Sequence, residues 1–204
     1  MGDIRDVPLG FSDATVPVGT HLCLMYSSVH EYHNLIQQFI LAGLHNRERV
    51  ACFLDGIATE EIQTLCHEAR LEYNALKTQG LLTVEKAKES YGDHGKFDPF
   101  RLLNKITELY QSTDAMEVQA VRLVGEMSAD VLSLPGGDRL AEYEARVNMR
   151  LLEVPVTTLC LYKTRDFPQE TLMDVLKAHP HLLMYEQVVQ NPYYASPQKI
   201  LSRD

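Results

Sequence analysis

Five times along this chain an apolar run of strand length gives way to a segment of helical periodicity, with short connections between them. The strand-like runs fall at 21–26, 49–55, 80–87, 118–127 and 155–162, and the helical patterns at 28–46, 59–71, from Pro99 onward, 139–153 and 168–178. Alternation of this kind predicts a mostly parallel sheet with helices on both faces, because each parallel strand is reached through a crossover. The run RVACFLD at 49–55 is apolar through its middle, as a strand covered on both faces should be. A further run, HLLMYEQVV at 181–189, reads as a sixth strand that joins the sheet edge in either direction. The expected architecture is therefore α/β, in three layers (α/β/α), around a sheet of about six strands.

Local signals support the helices. Ser28 and Glu31 have the spacing of a capping box, and Leu35, Ile36, Phe39, Ile40 and Leu44 form one apolar stripe. Thr59 is followed by Glu60 and Glu61, acids that favour a helix amino end. Asp98-Pro99 supplies an N-cap and a first-turn proline, after a stretch with Gly92 and Gly95 that reads as a polar loop. With 204 residues the chain suits one core. Residues 1–18 read as an N-terminal extension and 19–204 as a single domain, whose tail QNPYYASP holds too much proline for a regular element.

Net charge is −9 and the isoelectric point about 5.3, which excludes a surface built to bind nucleic acid or an anionic membrane. No apolar run approaches the roughly 20 residues of a membrane span, so a cytoplasmic location is expected. The four cysteines, Cys23, Cys52, Cys66 and Cys160, form no C-x-x-C pair. They read as buried, reduced thiols, with neither a metal nor a cofactor implied.

In such a sheet ligands bind beyond the carboxyl ends of the strands. Those ends carry Tyr26 and Ser27, Asp55 and Gly56, Gly125 and Glu126, and Tyr162. The G-x-x-x-x-G-K-[ST] loop that cradles nucleotide phosphates is absent, which argues against ATP hydrolysis. Glu126 either faces a ligand or acts structurally, capping a turn or pairing with Arg122 two pleats back. On the helix at 139–153, Arg139, Glu142, Arg146, Arg150 and Glu153 share a solvated side, whereas Glu144 and Asn148 project from the apolar half with Tyr143. Buried polar groups need partners, here Arg122, a backbone group or a ligand. No Ser/His/Asp constellation or G-x-S-x-G elbow is present, and the expectation is a non-enzymatic protein.

The segments HLCLMY, VGEM, YEARVN, LCLY, AHP and NPYY, in this order, resemble the MEDS domain, the methanogen/methylotroph sensory domain named from the dichloromethane-responsive regulator DcmR. The likeness extends from about residue 19 to 197. It implies a RecA/KaiC-related fold without a Walker A loop, in a sensory module that binds small organic molecules. The positions that match are His21, Tyr26, Arg122, Gly125, Glu126, Tyr143, Glu144, Arg146, Asn148, Cys160, Tyr162, His179 and Pro180. The expected ligand-binding set is Tyr26, Ser27, Arg122, Glu126, Tyr143, Glu144, Asn148 and Tyr162, with Tyr26, Glu126, Tyr143 and Glu144 walling a pocket at the strand ends. Signalling would act in transcriptional or two-component regulation, through a separate kinase or transcription factor. The alternative is an interaction module that docks on such a partner without a small ligand, using the tail MYEQVVQNPYY. A homodimer is the expected assembly, since symmetric homo-oligomers predominate.

Overall fold

The computed structural model describes residues 5–93, 95–113 and 116–202. The chain runs β1 (Asp6–Pro8), β2 (Thr15–Pro17), β3 (His21–Tyr26), α1 (Val29–His45), β4 (Arg49–Phe53), α2 (Thr59–Glu68), α3 (Tyr73–Thr78), β5 (Leu82–Glu85), α4 (Ala87–Tyr91), β6 (Gly92–Asp93) and β7 (Lys96–Phe97). It continues through α5 (Pro99–Gln111), β8 (Val121–Met127), α6 (Ala129–Leu132), α7 (Leu140–Leu151), β9 (Val156–Lys163), α8 (Gln169–Ala178), β10 (His181–Met184), β11 (Gln187–Gln190) and α9 (Pro197–Leu201). Seven strands form one sheet in the order β11-β10-β3-β9-β8-β4-β5, and every pairing is parallel except that of β10 with β11.

The two faces of the sheet are packed separately. Leu22, Leu24, Val124 and Leu161 point toward α1, α2 and α3, while Cys23, Leu123, Met127 and Cys160 point toward α5, α7 and α8. Period-two alternation along each strand divides the residues this way. All four cysteines are buried free thiols. Among the described residues no helix is long and apolar enough to cross a membrane.

Several local expectations are corrected. The run 181–189 is two strands, because Tyr185 and Glu186 both adopt left-handed backbone, at φ 48° and 62°, and turn the chain back on itself. Neither is Gly or Asn, so the turn left no sequence signal. Residues 87–91, split between an expected strand end and a polar loop, form α4, which buries Tyr91. The proline-rich tail ends in α9, with Ser196 as N-cap and Pro197 in the first turn. Within the extension, residues 6–17 form a hairpin that buries Val7, Leu9, Phe11 and Val16; residues 1–4 lie outside the described residues. Asp98 caps α5 as expected, accepting from the N–H groups of Phe100 and Arg101. The Glu31 side chain, half of the expected capping box on α1, also lies outside the described set.

Arg122 is completely buried on the α1 face of β8. Its Nε and Nη2 donate to the two carboxylate oxygens of Glu48, at 2.6 and 2.5 Å, in a bidentate pair. Its Nη1 donates to the Phe39 carbonyl and Nη2 to the Pro8 carbonyl, both at 2.8 Å. Arg122 thus pairs with neither Glu126 nor Glu144. Gly43 makes room for it, since a Cβ there would sit 2.6 Å from the guanidinium stem. Glu48→Ala strands this guanidinium, and a loss of about 3–5 kcal/mol is expected from urea unfolding. Replacing both partners, Glu48→Met with Arg122→Met, should recover most of it.

Candidate functional site

Two buried polar clusters occupy opposite faces of the sheet. On the α1 face, at the carboxyl end of β8, the Glu126 carboxylate accepts four hydrogen bonds. The donors are the Tyr26 and Tyr32 hydroxyls, each at 3.0 Å, and the backbone N–H groups of Asp55 and Gly56, at 2.8 and 2.7 Å. Of its expected structural roles, turn capping is the one seen, on the turn after β4. The Tyr26 and Tyr32 rings stack with centroids 4.4 Å apart. Burial, reinforced by the Glu126 charge, raises both phenols well above the ordinary tyrosine range, so each stays a donor. Two tyrosine rings and a carboxylate therefore fill the end of the sheet beside the β3–α1 turn. Ser27 is exposed on that turn.

The second cluster lies on the α7 face. Glu144 of α7 meets His21 of β3, Cys160 and Tyr162 of β9, and His179 at the end of α8. Glu144 Oε2 is 3.3 Å from Nε2 of His21, 3.3 Å from Nε2 of His179 and 3.7 Å from the Cys160 sulfur. The Tyr162 hydroxyl donates to Oε1. The His21 Nε2 is also 3.3 Å from Cys160 Sγ. The His179 Nε2 contact is not aligned as a hydrogen bond, so that buried nitrogen has the Glu144 carboxylate as a charge contact only.

The outer nitrogens of both rings are held. His21 Nδ1 lies 3.0 Å from Asn148 Oδ1, and His179 Nδ1 lies 2.8 Å from the Val175 carbonyl. The Asn148 amide nitrogen donates to the carbonyls of Ala178 and Glu144, at 2.6 and 3.2 Å, which fixes its oxygen toward His21. Burial works against the Glu144 carboxylate, but the two imidazoles, His179 first, outweigh it and hold the carboxyl well below its usual range. Burial and the His179 charge push His21 down, and burial with the Glu144 charge pushes the Cys160 thiol up.

The expected pocket wall does not come together. Tyr26 and Glu126 face α1, while Tyr143 and Glu144 lie across the sheet, because strand alternation and the helix crossovers send them to different layers. Tyr143 packs edge-on to Tyr91 and Phe97. Glu144, Asn148 and Tyr162 do meet; Arg122 belongs to the Glu48 pair. Arg146 makes the expected pair with Glu142, at 2.8 Å. Sequence reasoning missed Glu48 and Tyr32 as partners. His21, Cys160 and His179 were marked by resemblance alone, since a strand start, a mid-strand thiol and a helix end share no local spacing.

The fold that carries these clusters is that of the RecA/KaiC-like proteins. Solved structures similar to this chain include the flagellar accessory protein FlaH of Methanocaldococcus jannaschii, at 14% identity and TM-score 0.63, covering 91% of this chain and 84% of that one. A KaiC-like protein of Pyrococcus horikoshii aligns at 16% identity and TM-score 0.62, covering 88% and 79%. At these identities the likeness shows the fold alone. Residues 20–180 match the family described as the MEthanogen/methylotroph, DcmR Sensory domain, and the chain belongs to that MEDS family. No curated protein matches. Membership in a sensory-domain family points to a sensory or regulatory role.

Glu126→Gln should cost about 1–3 kcal/mol in urea unfolding, because an amide cannot accept from all four donors. Tyr26→Phe should cost less, since Glu126 keeps its other three.

Proposed function

We propose that this chain is a non-enzymatic sensory module that binds a small organic molecule and reports its presence to a separate kinase or transcription factor. The observation that carries this reading is a groove of about 450 Å³ at the amino end of the sheet, opposite the plugged end. Its walls include Val18, Leu151, Leu152 and Tyr194, and its polar groups include His21 and Asn148. That volume and that mix of apolar wall with a few polar anchors suit a small organic ligand, for which sites run to about 300–1,000 Å³. A ligand contacting His21 and Asn148 would press on α7 and the buried cluster behind it, and so favour one of two arrangements. Glu126 is saturated with donors, which supports a role other than acid–base catalysis.

A second reading, a docking module without a small ligand, is favoured by Met184, Tyr185 and Tyr193, which are 50%, 90% and 65% exposed along the β10–β11 edge and the segment after it. Truncation at Glu186 would not test it cleanly, because Asn191 caps the end of α8 through the Leu176 and His179 carbonyls. Tyr185→Ser with Tyr193→Ser is the better variant.

Native mass spectrometry of freshly purified protein should show a stoichiometric low-mass organic adduct. Leu152→Asp, at an exposed position on the groove, should lose it with the fold intact. At 100 times its Kd the ligand should add about 2.7 kcal/mol to unfolding stability. A clean protein mass, with no thermal shift from a panel of small organics, overturns this reading. If the double tyrosine variant then loses partner binding, the docking reading stands in its place.

A further inference from the structure

The α7-face cluster has a geometry that hydrogen bonding alone does not explain. Both imidazoles turn Nδ1 toward acceptors, Asn148 Oδ1 and the Val175 carbonyl. Each ring therefore carries its proton on Nδ1 and, when neutral, aims the Nε2 lone pair inward. Both inward lone pairs approach the same carboxylate oxygen at 3.3 Å. A lone pair facing a carboxylate is repulsive, and an added proton or a metal ion between them removes that repulsion. We propose that His21, Glu144, Cys160 and His179 bind one zinc ion in a closed tetrahedral site.

The distances fit. Zinc bonds of about 2.0–2.1 Å to nitrogen or oxygen and about 2.3 Å to sulfur place tetrahedral ligands about 3.3 Å apart for an N–O pair and about 3.6 Å for pairs with sulfur. Here both N–O separations are 3.3 Å, His21 Nε2 to Cys160 Sγ is 3.3 Å and Glu144 Oε2 to Cys160 Sγ is 3.7 Å. The four ligand atoms all lie within 4.8 Å of one another, and all four residues are buried. The His179 Nε2, which makes no aligned hydrogen bond, contacts the same Glu144 oxygen.

The charges fit as well. One divalent ion with a thiolate, a carboxylate and two neutral imidazoles sums to zero, a form that a buried site tolerates. Mixed sulfur, nitrogen and oxygen donors in tetrahedral array select zinc over calcium or magnesium, which prefer oxygen cages. The contacts behind the ligands are those that metal-binding histidines and carboxylates commonly have: each Nδ1–H is accepted, and Tyr162 holds the outer Glu144 oxygen. His21 and Asn148 also line the groove, so the site lies directly beside it. The site joins β3, α7, β9 and the end of α8.

The full chain, stripped with a chelator, would be titrated with Co²⁺ and then Zn²⁺. The expected result is one Co²⁺ per chain, with a thiolate-to-cobalt charge-transfer band and the intense visible bands of tetrahedral cobalt, all displaced by one Zn²⁺. Cys160→Ser should abolish the charge-transfer band with the circular dichroism unchanged. Asn148→Ala, which removes the support behind His21 together with the amide's bonds to the Ala178 and Glu144 carbonyls but no metal ligand, should keep the band and weaken affinity about 10- to 100-fold. Three results overturn the proposal: a folded wild-type chain that takes up no Co²⁺, a charge-transfer band that survives Cys160→Ser, or weak octahedral cobalt spectra. In the first case, a His179 imidazolium seen by NMR would identify the positive centre as a proton. Should Cys160→Ser fail to fold, the wild-type titration and the Asn148→Ala affinity still decide.

Discussion

The guanidinium of Arg122 is the point from which the α1 side of the molecule is organised. A completely buried cation survives only with a partner of matching charge and with its remaining N–H groups accepted. Glu48 supplies the first, and the Phe39 and Pro8 carbonyls complete the second. These needs determine features far apart in sequence. Gly43 has no side chain because the guanidinium stem passes there. The chain leaves α1 through Arg47 in left-handed backbone, and Glu48 follows directly. The N-terminal hairpin, which buries Val7, Leu9, Phe11 and Val16, also supplies its Pro8 carbonyl as one of the acceptors. Arg122 also stacks on the Phe39 ring, 4.6 Å from its centroid, so the same group serves packing and charge.

On this scaffold the carboxyl end of the sheet is closed by Glu126 and its two tyrosines. Backbone N–H groups that could face an anion, those of Asp55 and Gly56, are consumed by a carboxylate belonging to the protein itself. The negative charge is thus supplied internally, and the groove on which the proposed function rests lies at the opposite, amino end of the sheet. There an apolar groove adjoins a buried cluster reached through His21 and Asn148.

The frame of the molecule was legible in the sequence because burial on both faces writes itself as continuous apolar runs. The span 21–26 matches β3 at both ends, and α1, β4, α5, β8, α7, β9 and α8 fall where periodicity places them. Asp98 announced its cap. What stayed hidden depends on contacts between distant positions. The turn at Tyr185 and Glu186 is held by strand pairing, not by turn residues. Glu48 follows a helix end with no local pattern to mark it, and its partner Arg122 lies 74 residues later. For Glu144 and Asn148 the sequence offered Arg122, a backbone group or a ligand as partners; Asn148 does meet backbone carbonyls, Arg122 pairs elsewhere, and the likeness to a family flagged the other cluster residues without showing that they touch. The face on which each side chain falls was the decisive unknown, and it separated Tyr26 and Glu126 from Tyr143 and Glu144.

The strand order carries a consequence for how the chain is made. β3 is the first strand of the sheet to leave the ribosome, yet both its neighbours, β9 and β10, are synthesised last. Until then its two edges have no mates, and only one face of the strand can be covered, by α1, the N-terminal hairpin and the early helices. The early product can assemble β4 with β5, and later β8, as a separate patch of sheet. Closure waits for the C-terminal segments to insert beside β3, a late and long-range step of the kind that slows folding and exposes unpaired edges to association. A chain stalled before β9 would thus present an open strand to other chains.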